Sequence, residues 1–352
     1  MKIGITGTGS YIPSIIAKNE DFLQHQFLGA DGARFGYEND VIIEKFQSIT
    51  GISERRYAKP QLNTSDLGHL AAEKAIEDAG IDREELDYII FAHNFGDIEH
   101  GTIQGDTLPS LATRVKHLLR IKNPKCVAYD MIFGCPGWIE GVIQANAFIK
   151  SGIAKKCLVI GGETLSRVVD EHDRDSMIYS DGAGAAIIEA NAQSGEILGH
   201  ASETHANNEA FYLFFDKTYN EEGCPNTKYI KMHGRKIYEF ACTHVPNAMA
   251  ACLDESGESI NNVKKIFIHQ ANEKMDEAIV KRFYRLYGKE VPQDIMPMSI
   301  HKLGNSSVAT IPTLFDLVRN GDLEPHSIEK GDLVIFASVG AGMNINAIVY
   351  RI

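Results

Sequence analysis

The stretch Ala71-Ala72-Glu73-Lys74-Ala75-Ile76-Glu77-Asp78-Ala79-Gly80, running on through Leu86-Asp87-Tyr88-Ile89-Ile90-Phe91, occurs twice in this chain. Its second copy is Ala248-Met249-Ala250-Ala251-Cys252-Leu253-Asp254-Glu255-Ser256-Gly257, through Val263-Lys264-Lys265-Ile266-Phe267-Ile268. The spacing is constant, since 257 − 80 and 266 − 89 both give 177, about half of the 352 residues. Each copy reads as an amphipathic helix, a glycine stop, a polar link and a buried strand. A helix-then-strand order repeated at half length predicts a duplicated α/β architecture with largely parallel pairing.

Further pairs extend the duplication. Lys156-Cys157-Leu158-Val159-Ile160-Gly161-Gly162 resembles Gly331-Asp332-Leu333-Val334-Ile335-Phe336-Ala337. Ser180-Asp181-Gly182-Ala183-Gly184 resembles Val339-Gly340-Ala341-Gly342-Met343, and each leads through a glycine-rich turn into another strand. The halves are expected to divide at the polar Asn191-Ala192-Gln193-Ser194-Gly195, giving 1–192 and 193–352. Leu28–Tyr37 and Asn94–Thr107 read as surface loops. The second is long enough for a functional role.

Composition narrows the function classes. A net charge of −12 argues against nucleic acid as a general partner, which would need clustered Lys and Arg. No apolar run reaches membrane-helix length, and Met1-Lys2-Ile3-Gly4-Ile5 begins directly as a strand without a signal peptide, so neither membrane insertion nor export is expected. The six cysteines form no CxxC pair and no zinc-ligand spacing, which fits a reduced, cytoplasmic protein with no metal site.

One cysteine stands apart. In Phe133-Gly134-Cys135-Pro136-Gly137-Trp138 it lies between a strand-like apolar run from Cys126 to Phe133, read as buried, and a helical run from Ile139 to Lys150. Pro136 suits a first helical turn. Cys135 would thus occupy a strand-to-helix elbow at the positive end of a helix dipole, which favours a thiolate nucleophile. His269, in Ile268-His269-Gln270-Ala271-Asn272, ends a strand, and Asn305, in Gly304-Asn305-Ser306-Ser307, stands at or beside a helix cap. Strand carboxyl ends converge on a crevice in such folds. Taken singly, such a His is usually a structural hydrogen-bonder and such an Asn a cap.

Together the strings resemble the β-ketoacyl-acyl-carrier-protein synthase III family of thiolase-fold condensing enzymes. The likeness starts at Gly7-Thr8-Gly9-Ser10-Tyr11-Ile12-Pro13 and Thr50-Gly51-Ile52-Ser53-Glu54-Arg55. It continues through the Cys135 elbow, Asp173-Arg174, Asp181-Gly182-Ala183-Gly184, His269-Gln270-Ala271-Asn272 and Gly304-Asn305-Ser306-Ser307, and ends at Gly340-Ala341-Gly342. It implies a five-layer αβαβα fold with mixed sheets and a homodimer, with no cofactor beyond the coenzyme A or phosphopantetheine carried by the substrate. It implies Cys135 as acyl acceptor, His269 and Asn305 as enolate donors, and Asn272 in support. The backbone amides of Cys135 and Ala341 would form the oxyanion site, with Gly340 and Gly342 allowing close approach. Arg174 would contact coenzyme A, and Trp138 would either help shape the acyl tunnel or pack in the core. Lys274, Lys281 and Arg282, at i, i+7 and i+8, share a helix face and match the positions that receive acyl carrier protein.

Departures qualify this likeness. Lys45 and Ile49 replace the Trp and Arg that clamp the adenine in the family's initiation enzymes, and the turn's middle residue is Ala341. These changes favour a specialised lipid or polyketide pathway over fatty-acid initiation, and carrier-bound over coenzyme-A-bound primers. Acyl transfer to a hydroxyl or amine without decarboxylation is the alternative. A silent heterodimer partner fits poorly with retention of all three residues. Hydroxymethylglutaryl synthesis would need a further glutamate, for which only Glu99 offers itself.

Overall fold

A computed structural model describes residues 2–190, 195–220, 222 and 226–352. Two mixed sheets carry the fold. The first contains β1 (Ile3–Tyr11), β2 (Tyr88–His93), β3 (Val127–Ile132), β4 (Lys156–Thr164) and β5 (Asp181–Ala190) in the order β1-β5-β4-β2-β3. The second contains β6 (Glu196–Thr204), β7 (Val263–Ile268), β8 (Leu333–Gly340) and β9 (Asn344–Arg351) in the order β6-β9-β8-β7. The orders superpose strand for strand. In both sheets the first two pairings are antiparallel and the next is parallel. Where a fifth strand would extend the second sheet, Ile295 instead accepts a hydrogen bond from Ile266 N at 2.8 Å. The expected division falls between the sheets, but residues 191–194 lie outside the described part.

The longer helices fill the layers: α1 (Asn39–Thr50), α2 (Thr64–Ala79), α3 (Leu111–Leu118), α4 (Gly137–Lys150), α5 (Gly234–Ser256), α6 (Glu273–Leu286) and α7 (Thr310–Arg319). Between the sheets, Ile139 and Val142 of α4 and Ile311, Leu314 and Phe315 of α7 pack with Phe267, Phe336 and Tyr350. Outside the first sheet, Ala71, Ala72 and Ala75 of α2 bury against Phe91, Ile160 and Ile187. Outside the second, α5 and α6 bury Cys252, Leu253, Ile279 and Phe283 against β7–β9. This is the expected five-layer αβαβα arrangement.

The repeated alanine stripe has a geometric reason. A Cβ on Gly7 would lie 2.3 Å from Ala75 O, and one on Gly9 would lie 2.4 Å from Ala71 O. Small residues on both surfaces therefore let α2 lie directly on β1. The Asn63–Asp66 capping box starts α2, and Gly80 at φ +63° ends it.

Two local expectations need correction. The run around β3 is no buried strand but the sheet's edge, with Val127 45% and Ile132 66% exposed. Residues 28–37 form the expected surface loop, pinned at its start. Phe27 and Leu28 are buried, and Leu28, Phe35 and Tyr37 line the main cavity. Residues 94–107 fold into a hairpin pairing Asp97–Ile98 with Gly105–Asp106. Buried Asp97 ties it down by accepting from Ser65 N at 2.7 Å, Ser65 Oγ at 2.6 Å and Arg114 Nη1 at 2.7 Å.

Candidate active site

The Cys135 elbow is built by two close approaches. After β3, Gly137 N donates to Gly134 O at 2.7 Å, turning the chain around Cys135. Pro136 takes the N-cap position of α4 rather than its first turn, with φ −74° and ψ −3°, and its carbonyl accepts from Glu140 N at 3.0 Å. The turn after β8 lies against this elbow. A Cβ on Gly340 would sit 2.6 Å from Cys135 N and 2.7 Å from Pro136 Cδ, and one on Gly134 would sit 2.8 Å from Ala341 N. The amides of Cys135 and Ala341 are thus on neighbouring backbone. Gly342 completes the turn at φ +75°.

His269 follows the last residue of β7, where its N–H donates to Ala337 O at 2.9 Å on the parallel neighbour β8. Gln270 ties down the next segment by donating to Pro297 O at 2.8 Å and accepting from Ser299 N at 2.9 Å. Asn272 caps α6, its Oδ1 accepting from Met275 N at 3.0 Å. Asn305 is held from both sides along its backbone, Ser180 N donating to Asn305 O at 2.8 Å and Asn305 N donating to Ile178 O at 2.9 Å. It caps no helix. Ser307 N donates to its Oδ1 at 2.8 Å, so the amide nitrogen is the end left for other partners.

Cys135 and His269 come from two strand ends, whereas Asn305 lies between the short helix Ile300–Leu303 and the turn Ser307–Ala309 rather than at a strand end, and the three meet in one cavity of about 920 Å³. Gly340, Ala341 and Asn272 line the same space. Its outer walls are α1, the 28–37 segment, and a ribbon pairing Leu213–Lys217 with Lys228–Met232. Phe95 of the 94–107 hairpin stacks on Phe215 of that ribbon, with ring centroids 5.0 Å apart. At the mouth, Lys45 Nζ lies 3.9 Å from the centre of the Tyr37 ring, and the Arg174 guanidinium lies 5.1 Å from that of Phe35.

Burial dominates the electrostatics. It pushes the Cys135 thiol up to about 11, more than the Ser307 hydroxyl bonded to it pulls it down, and the Glu163 carboxyl adds to the rise. Loss of solvation thus opposes the thiolate that the start of α4 favours. Burial also lowers His269 to about 3, leaving a neutral imidazole. His269 is 3% exposed and its Nδ1 has no hydrogen-bond partner.

Other expected residues divide. Trp138 is 1% exposed, packs edge-on against Phe336 at 5.7 Å, and lies in the core between the sheets instead of on the cavity wall. One turn along α4 from the nucleophile, its side chain faces β8. Glu99 is exposed at the hairpin and away from the cavity. Lys274, Lys281 and Arg282 are all exposed on α6, but Arg282 Nη1 also donates to Cys242 O at 2.7 Å and so helps seat α6 on α5. Sequence reasoning missed Asn94, Glu163, Tyr179 and Ser307. Ser307 closes the Gly304–Ser307 string, Asn94 opens the long loop and Glu163 is an acid ending the apolar run of β4, but nothing in the sequence linked them.

Comparison with known proteins agrees with this geometry. The model of the 3-oxoacyl-[acyl-carrier-protein (ACP)] synthase III family matches residues 129–206, and that of its C-terminal domain matches 253–352. The β-ketoacyl-[acyl-carrier-protein] synthase III of Erythrobacter litoralis is 30% identical over 358 residues, covering 100% of this chain and 99% of that protein. Synthase III 1 of Halalkalibacterium halodurans is 32% identical over 354 residues, covering 99% and 98%. The crystal structure of the Aquifex aeolicus 3-oxoacyl-[acyl-carrier-protein] synthase III superposes with a TM-score of 0.81 at 29% identity, covering 99% of this chain and 100% of that one. The priming β-ketosynthase of the R1128 polyketide pathway has the same TM-score at 22% identity and shares the fold. With Cys135, His269 and Asn305 gathered in one cavity and relatives aligned along its whole length, the chain belongs to the β-ketoacyl-[acyl-carrier-protein] synthase III family.

Proposed function

We propose that the chain catalyses decarboxylative Claisen condensation, transferring an acyl group from a thioester to Cys135 and then onto a malonyl-type carrier thioester. The observation that carries this reading is the meeting of Cys135, His269 and Asn305 in one cavity with the 340–342 turn packed on the elbow. In the first half-reaction Cys135 sulfur attacks the acyl carbonyl. The amides of Cys135 and Ala341 hold the oxyanion, and the departing thiol leaves with the proton that Cys135 lost. In the second, the bond to the malonyl carboxylate breaks and carbon dioxide departs. The enolate oxygen takes hydrogen bonds from His269 Nε2–H and the Asn305 amide, and the enolate carbon attacks the acyl group, releasing Cys135. A neutral imidazole suits the donor role, since it supplies an N–H without a buried charge.

The primer is expected on a carrier protein. Lys274, Lys281 and Arg282 present a basic face near the cavity of an acidic chain. At the mouth, a Lys45–Tyr37 pair and Ile49 stand where the family's initiation enzymes clamp adenine. A homodimer across β3 would cover the exposed Val127 and Ile132 and the nearby Leu108, which is 87% exposed. Lineage within a fatty-acid or a specialised pathway then follows from which acyl thioesters load Cys135.

The test separates the half-reactions. His269→Ala and Asn305→Ala should still acquire an acyl group on Cys135 but lose condensation by about 10²–10³ or more. Condensation at the unaltered rate in either variant would remove that residue from the mechanism.

A further inference from the structure

A hydrogen-bonded chain runs from a buried carboxyl along the cavity wall to the nucleophile. Glu163, at the end of β4, is 1% exposed. Its Oε1 accepts from Asn94 N at 2.7 Å and also from Asn94 Nδ2, while its Oε2 has no partner. The remaining hydrogen on Asn94 Nδ2 points to Ser307 Oγ, 3.1 Å away. With that lone pair engaged, the Ser307 hydroxyl turns its own hydrogen to Cys135 Sγ at 3.5 Å. Ser307 adopts φ +51°, unusual for a residue with a side chain, and in that conformation its N–H also holds Asn305 Oδ1.

We propose that Glu163 and Asn94 are positioning residues that aim the Ser307 hydroxyl at Cys135 sulfur, while the Ser307 backbone turns the Asn305 amide into the cavity. One strained residue would thereby set the nucleophile and the enolate donor together. The proposal rests on the function assigned above, because it takes Cys135 as the nucleophile.

The charges around the chain support a tuning role. Ser307 favours the thiolate and an ionised Glu163 opposes it. Burial raises Glu163 to about 7, and His93 and Asp181 are the other charged or titratable groups acting on it. His93 is committed elsewhere, since Gly96 N donates to its Nδ1 and its Nε2–H is therefore free to donate to Asp130 at 3.0 Å. Besides Glu163, the titratable neighbour of Cys135 is Tyr179.

The test is the pH profile of Cys135 alkylation by iodoacetamide, which requires no acyl substrate. Ser307→Gly keeps the N–H, relieves the positive φ and removes the small hydroxymethyl side chain with its donor. It should melt near the unaltered protein yet alkylate about tenfold more slowly between pH 7 and 9. Glu163→Gln keeps an acceptor for Asn94 but removes the charge, and should alkylate roughly three- to tenfold faster above pH 7. Glu163→Ala removes the same charge but also frees Asn94 to turn, so it should alkylate about tenfold more slowly than Glu163→Gln. That gap between two variants of equal charge is the signature of positioning. Alkylation of Ser307→Gly at the unaltered rate, or equal rates for the two Glu163 variants, would overturn the proposal even if condensation is then demonstrated. The expected rates in a protein that condenses nothing would instead overturn the assigned reaction and leave the relay standing.

Discussion

Lowering the pH should expose His269 as a buried neutral imidazole. Its proton affinity falls from the ordinary value near 6.5 to about 3, and burial is the whole cause. A histidine depressed in the folded state contributes stability that is present above 6.5 and is lost as pH falls towards 3, because the unfolded chain takes up a proton that the folded chain refuses. The slope is about 1.4 kcal/mol per pH unit, so acidification from 6.5 to 5 costs about 2 kcal/mol at this residue. Urea denaturation of the unaltered protein and of His269→Gln at pH 7, 6 and 5 isolates that contribution. Glu163 titrates in the opposite sense, gaining stability on acidification as its raised value implies, but it is common to both proteins and cancels in the difference. The stability gap between the two should therefore shift by about 2 kcal/mol between pH 6.5 and 5, with the unaltered protein losing more. Parallel profiles would refute the neutral, desolvated imidazole and with it the N–H donor role.

Other expected outcomes follow from packing and charge. Gly340→Ala should abolish acylation of Cys135 while leaving a folded protein, since the added carbon would lie 2.6 Å from Cys135 N; acylation within tenfold of the unaltered rate, read by intact mass, would contradict the close approach. Lys274→Glu with Lys281→Glu should slow carrier-delivered acylation, by less as salt rises, and spare acylation from coenzyme A; Arg282 is left intact because it also bonds Cys242 O. Trp138→Ala should lower stability by about 3–5 kcal/mol in denaturant titration, as for a large aromatic lost from a core, without narrowing the range of acyl groups accepted.

The repeat at a spacing of 177 made the architecture legible, because the same helix-on-strand packing demands the same alanines and glycines twice. Strand-end positions for Cys135 and His269 were legible for a related reason: an apolar run that stops at a polar residue marks where a sheet meets its crevice. The edge position of β3 was not legible. Its apolar residues resemble those of a central strand, and only pairing on one side leaves Val127 and Ile132 uncovered. The choice between tunnel and core for Trp138 stayed open, because proximity in sequence to Cys135 says nothing about which face of α4 it occupies. The chain from Glu163 through Asn94 to Ser307 spans three elements far apart in sequence, so no local pattern could announce it.

The most direct measurement of the central claim is a two-stage intact-mass experiment on the unaltered protein. It should first be offered a panel of acyl-carrier and acyl-coenzyme A thioesters, and then a malonyl-carrier thioester. The account predicts a single acyl adduct, mapped to the peptide that carries Cys135 and Trp138, which disappears on the malonyl chase as carbon dioxide and a β-ketoacyl-carrier product appear in equal amounts. An adduct on Cys157 or Cys242, or a Cys135 adduct that the chase removes without carbon dioxide release, would contradict it.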